Sequence, residues 1–237
     1  MMRPLNFVGA AALFTVAACR GGDSSARDGA PPVNAAGPAT TSSTTRSTST
    51  GAVGPAVGTV PASIDAIGHH GENAYDMVKA GNWAAARASA DSLRPALDSI
   101  PGAATIAVRE LNNAITNKDK SAALRASNRL TQLSALLSEP YHPAVPAEVM
   151  LLDFDGRELE IWAAAGDRTR LGETASAMRR TWNAVRPRVE ARGGRGEAAH
   201  FDGLIAQVEA AVTPDDYARL ATPVLDAVDT LEQVFTR

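Results

Sequence analysis

The sequence predicts an all-α fold: an antiparallel helical bundle of about eight helical segments in two related halves, behind a disordered N-terminal leash. Three observations carry that expectation. Apolar residues recur every three or four positions from Ser63 to the end of the chain, the spacing that buries one face of a helix. Aromatic residues make up only 5% of the chain and Ala is abundant, which favours close-packed helices over sheets. Gly, Pro, Asn and Asp cluster between the periodic stretches, where helices start and stop.

The first element is not part of the bundle. Arg3 supplies a positive charge, and the apolar run from Phe7 to Ala18 is broken only by Gly9 and Thr15. That run is shorter than the roughly 20 residues a membrane span needs, so residues 1–18 read as a signal peptide. Val16-Ala17-Ala18-Cys19 closes it, an aliphatic residue and two small ones before the single Cys of the chain. The stretch resembles the lipobox of bacterial lipoproteins. That resemblance implies cleavage before Cys19, lipidation of Cys19 and attachment to a membrane through the lipid. It places the protein in the cell envelope, facing the periplasm. Arg20, where an Asp would signal retention in the inner membrane, favours the outer membrane. With Cys19 lipidated, the rest of the chain has no cysteine from which to make a disulfide.

Residues 19–62 form the second element, the lipidated Cys followed by a linker rich in Gly, Ala, Pro, Ser and Thr. From Thr40 to Thr50 every residue but Arg46 is Ser or Thr. Such a composition buries too little apolar surface to offset the entropy of ordering. A flexible linker of this length has a root-mean-square span of roughly 35–40 Å.

Residues 63–237 form the bundle domain, with pseudo-repeats over about 63–138 and 147–237. One seam runs through Trp83, Ala86, Ala90, Leu93, Leu97 and Ile100. Shorter ones follow at Ala104, Val108, Leu111 and Ile115, and at Leu130, Leu133 and Leu137. In the second half the seams are Leu171 to Val189, Phe201 to Ala211 and Tyr217 to Phe235. A shift of 85 positions lays Gly71 on Gly156, Ala80-Gly81-Asn82 on Ala165-Gly166-Asp167 and Leu93-Arg94 on Met178-Arg179. Each Ala-Gly-Asn/Asp corner ends one helix with Gly and caps the next with an acceptor side chain. Gly71 and Gly156 sit on an apolar stripe and predict a close approach of another helix. Pro95, Pro187 and Pro223 fall inside helical patterns and predict kinks or early stops. Thr213-Pro214-Asp215-Asp216 has the order of an N-cap, a proline at the first helical position and acids in the first turn. Gly81-Asn82-Trp83-Ala84-Ala85-Ala86 also resembles the turn of a tetratricopeptide hairpin, although the 85-residue period is not that of the repeat.

Residues 63–237 carry 19 Lys and Arg against 24 Asp and Glu, a balance that argues against nucleic acid as a partner. The sequence has no Gly-x-Ser-x-Gly elbow, no His-Glu-x-x-His and no Cys-x-x-Cys-His, so no enzyme activity is expected. Metal or haem is the one site chemistry with candidates, because bundles build such sites from facing side chains. The candidates are His69, His70 and Glu72 in the first helix, and Glu197 with His200 at Glu-x-x-His spacing. Gly68-His69-His70-Gly71-Glu72-Asn73 is similar to the Gly-x-His-x-x-Glu signature of imelysin-like bundles, with Asn73 where that signature has Glu. Asp153, Asp155, Glu158 and Glu160 read as an exposed acidic edge. Arg168, Arg170, Arg179, Arg180, Arg186 and Arg188 crowd one segment, and Glu197, Asp202, Glu209, Asp215 and Asp216 the next ones. Ordinary ion pairs between neighbouring helices are the expectation there. The function expected from all of this is a lipid-anchored envelope protein whose bundle is a non-enzymatic binding or scaffold module for an envelope protein, with no cofactor. A metal- or haem-binding bundle in metal handling or electron transfer is the alternative.

Overall fold

Most helices of this chain begin where the sequence offers the free backbone amides an acceptor or makes one amide unnecessary. The computed structural model describes residues 58–237, all in helices and the turns between them. The signal peptide, the lipobox with Cys19 and nearly all of the leash lie outside the described residues. The helices are α1 (Ala62–Lys79), α2 (Trp83–Asp91), α3 (Gly102–Thr116), α4 (Lys120–Ser138), α5 (Ala147–Ala165), α6 (Arg168–Ala191), α7 (Arg195–Ala210) and α8 (Pro214–Thr236). Asn82, Asp119 and Asp167 cap α2, α4 and α6, each side chain accepting from the amide three residues on. Thr213 and Asp216 form a reciprocal capping box on α8. Gly81 and Gly166, at φ +74° and +69°, make the left-handed turns that end α1 and α5.

The architecture is the expected antiparallel bundle. α1 pairs with α4 and α5 with α8, and α4 lies along α5. These four form an inner layer, with α2 and α3 outside the first pair and α6 and α7 outside the second. Each half keeps its own apolar core. Ile67, Leu93, Val108, Leu111 and Leu130 fill the first. Leu152, Met178, Trp182, Phe201, Ile205 and Val228 fill the second. The two glycines that the 85-residue shift superposes sit at equivalent crossings. A side chain at Gly71 would strike Leu130 and the Ser127 carbonyl of α4, and one at Gly156 would strike Leu225 of α8.

Of the local expectations, the stop at Pro95 holds: α2 ends at Asp91 and a 3-10 turn, Arg94–Ser99, carries the proline. Pro187 and Pro223 stop nothing, since α6 and α8 run through them. The first helix opens at Ala62, and ahead of it the Gly58 amide donates to the Tyr141 carbonyl at 2.8 Å.

The largest correction concerns α5. Asp153, Asp155, Glu158 and Glu160 are not an exposed edge: Asp155 is buried and the other three are half-buried. The reason is that α5 is enclosed. Gly156 faces Leu225 of α8, Glu160 and Arg157 face Tyr75 of α1, and Glu158 faces Asn128 of α4. Leu152 and Leu159 pack in the core shared with α6. A helix surrounded on all sides has no free face to give its acids.

Candidate functional site

The site to consider is where the half-bundles meet, because the surface there is polar while each core is apolar. Asn128 of α4, fully buried, pins the two halves. Its amide donates to the Phe154 carbonyl at 3.1 Å and to Glu158 at 2.9 Å. Glu158 also accepts from the indole N–H of Trp162, whose ring lies within 6.0 Å of the Arg125 guanidinium and 5.6 Å of that of Arg170. Replacing Asn128 by Ala removes both hydrogen bonds that tie α4 to α5, while Glu158 keeps the one from Trp162. The expected cost is about 1–3 kcal/mol, read as a lower urea midpoint at pH 7.

On the α1 side of α5 the joint is ionic. The Tyr75 hydroxyl donates to Glu160 at 2.9 Å and Lys79 donates to the same carboxylate at 2.6 Å. Burial, and then the neighbouring Glu160, hold the Tyr75 hydroxyl protonated well beyond its ordinary range. Arg157 lies 5.1 Å from the Tyr75 ring and 3.2 Å from Asp153. Glu72 and Asp76 from α1, and Asp229 and Glu232 from α8, share the field of this ion pair. The Asp153 oxygen that Arg157 Nη2 approaches, Oδ2, is fully enclosed but accepts no hydrogen bond, and Arg157 Nη1 is enclosed without a partner among the described residues. Asp155, around the helix, is pushed up to about 8 by burial and by Glu158, with Arg180 opposing, so its carboxyl is neutral at pH 7.

Next to the ionic joint a groove of about 370 Å³ opens between helix ends. Tyr75 and Lys79 come from the end of α1 and Lys120 and Leu124 from the start of α4. Glu160 and Ile161 come from the end of α5, and Asp215 from the start of α8. A second pocket of about 220 Å³ adjoins it and shares Lys120, Leu124, Ile161 and Ala164. Lys120 donates to the Lys79 carbonyl at 3.0 Å, so the two ammonium groups flank one wall. The floor is apolar. Two lysines and two carboxylates, Glu160 and Asp215, line it, so a charge-balanced rim surrounds an apolar floor, which suits an apolar group flanked by polar ones.

The candidate metal ligands are divided. His69, His70 and Glu72 lie on α1 in the first half, and Glu197 and His200 on α7 in the second. His69 Nε2 accepts from the Asn73 side-chain amide at 2.9 Å, and its ring meets that of His70 edge-on at 5.1 Å. Burial and the His69 charge lower the pKa of His70. Glu197 accepts from Arg237 at 2.9 Å, and its pKa is lowered by its own backbone amide and then by that arginine. Only Glu72 reaches the joint. Among the described residues no three His, Asp or Glu side chains are grouped as a metal site.

The segregated charges meet as neighbours. Arg179 makes two hydrogen bonds to Glu209, at 2.8 and 2.6 Å, and Arg186 grips Asp202 through Nε and Nη2, fastening α6 to α7. The hydrogen bonds from these arginines keep both carboxyls below their ordinary range. Sequence reading found the arginine-rich and acidic segments and expected ordinary ion pairs between them. It missed Asn128, Arg157 and Tyr75 as joint residues, whose only signal was the mixture of apolar and charged residues on every side of α5. Comparison with family models, curated proteins and solved structures finds no match for this chain.

Proposed function

We propose that this is a lipoprotein of the cell envelope, held by lipid on Cys19 and facing the periplasm from the outer membrane, whose bundle binds an envelope protein without catalysing a reaction. The lipobox Val16-Ala17-Ala18-Cys19 is the observation that carries the reading. Several acyl chains on one cysteine give stable anchoring where a single chain gives marginal binding. No helix among the described residues is long and apolar enough to cross a membrane. The groove between the ends of α1, α4, α5 and α8 supports binding: its apolar floor and mixed charged rim fit a partner segment with an apolar residue flanked by polar ones.

Photo-crosslinking in the native envelope tests the reading. A crosslinker at Leu124 or Ala164 is expected to capture one protein that a crosslinker at the outlying Arg109 does not. Cys19→Ala is expected to move the chain from the membrane to the soluble fraction and to end palmitate labelling. Membrane retention of the variant removes the anchor. Equal or absent capture at Leu124, Ala164 and Arg109 removes the binding face.

A further inference from the structure

We propose that the two half-bundles form a jaw whose mouth is the groove, latched shut by Glu160 of α5 and held further in by Asn128 and by the linker between the halves. The geometry rests on which bonds cross from one half to the other. Among the described residues four side-chain hydrogen bonds do so, and all four end on one stretch of α5. Asn128 supplies the inner two, to the Phe154 carbonyl and to Glu158. Glu160, nearer the mouth, accepts the outer two, from the Tyr75 hydroxyl at 2.9 Å and from Lys79 at 2.6 Å. Arg125 and Arg157 add cation–π contacts across the joint, to Trp162 at 6.0 Å and to Tyr75 at 5.1 Å.

The two ends of the joint differ. At one end the chain itself ties the halves, passing from α4 to α5 through residues 139–146, and Gly58 ahead of α1 bonds Tyr141 there. At the other end nothing covalent spans the groove. Tyr75, Lys79, Lys120 and Leu124 on its first wall belong to one half, and Ile161 and Asp215 on its second belong to the other. Walls that are joined at the opposite end move apart when the outermost bond between them opens, which is hinge motion. That bond is the one to Glu160.

Opening breaches neither core. The buried apolar residues form two clusters, one in each half, that do not merge. Tyr75 and Ile161 are 2% and 4% exposed and belong to neither cluster. Both line the groove, so they are the surface that opening uncovers. The latch is also easily exchanged for water, since the Lys79 side chain is half-exposed while it holds Glu160. An occupant that offers Tyr75 or Lys79 another acceptor frees Glu160 and widens the groove it enters. The jaw goes beyond the binding reading and stands on these contacts whether or not the occupant is an envelope protein.

Hydroxyl-radical footprinting of the full-length protein in detergent tests the latch, because it reads exposure side chain by side chain. The double variant Y75F/K79M removes both hydrogen bonds to Glu160 and keeps nearly all of the side-chain volume. Loss of a charge-assisted hydrogen bond shifts an opening equilibrium by about tenfold and solvent around Lys79 weakens that, so Ile161 is expected to be oxidised about fivefold faster than in the unaltered protein. Trp182 and Phe201 in the second core and Leu111 in the first are expected to keep their rates. An unchanged rate at Ile161 overturns the proposal, and so does an equal rise at Trp182, Phe201 and Leu111, which would mean that the whole fold has loosened.

Discussion

Trp182→Ala is expected to cost about 3–5 kcal/mol, the range for removing a fully buried large aromatic side chain. The residue is fully enclosed in the second-half core. Its ring packs 4.7 Å from that of Phe201 at an interplanar angle of 50°, a tilted arrangement favourable for aromatic pairs. Its indole N–H also donates to Asp202 at 2.7 Å, the carboxylate that Arg186 grips from the side. Ala therefore opens a cavity between α6 and α7 and loosens the link at the rim. Trp182→Phe keeps most of the volume and loses only the N–H, so it is expected to cost about 1–2 kcal/mol. Urea unfolding followed by circular dichroism separates the two. A cost below 1 kcal/mol for Trp182→Ala would mean that the core collapses around the gap instead of holding it open.

How far the sequence reached depends on which faces a helix shows. α8 presents a single seam, Tyr217, Ala221, Val224, Val228, Leu231 and Phe235, and all six residues are buried as the spacing requires. Its cap at Thr213 was equally plain, because local hydrogen bonding decides it. α5 was legible as a helix but not as a hub. Ala147-Glu-Val-Met-Leu-Leu-Asp-Phe-Asp-Gly-Arg mixes apolar and acidic residues at every angle, and acids are ordinarily exposed. Only tertiary contact tells that α1, α4, α6 and α8 close round it. The joint inherits that opacity: Tyr75 and Glu160 lie 85 residues apart, and nothing local ties them. Pro187 and Pro223 do not stop their helices, and the reason is different. Whether Pro223 ends a helix depends on whether neighbouring helices hold the chain straight, and α5 and α7 both pack along α8.

The same dependence separates three glycines of one chemical kind. Gly71→Ala is expected to destabilise by about 1–2 kcal/mol and Gly71→Val by about 3, whereas Gly172→Ala is expected to stabilise by about 0.5–1. All are helical, so Ala brings the same gain in propensity, close to 1 kcal/mol. What differs is the space. At Gly172 an added Cβ meets nothing within 4 Å, and the propensity gain is realised in full. At Gly71 it lands 2.8 Å from the Leu130 Cβ and 3.1 Å from the Ser127 carbonyl oxygen, atoms fixed to the α4 backbone. The helices must separate, and Ser134, which donates to the Ile64 carbonyl at 3.0 Å, is drawn off with them. Gly156 is the informative intermediate. Its nearest obstacle is the Leu225 Cδ2 at 2.7 Å, the far end of a flexible side chain, so rotation of Leu225 absorbs the methyl group. Gly156→Ala is therefore expected to be nearly neutral. Thermal unfolding of the four variants at one pH checks the order. If Gly71→Ala proves as stable as Gly156→Ala, the α1–α4 crossing has slack that its packing does not show, and the two halves are equally tolerant at their matching crossings.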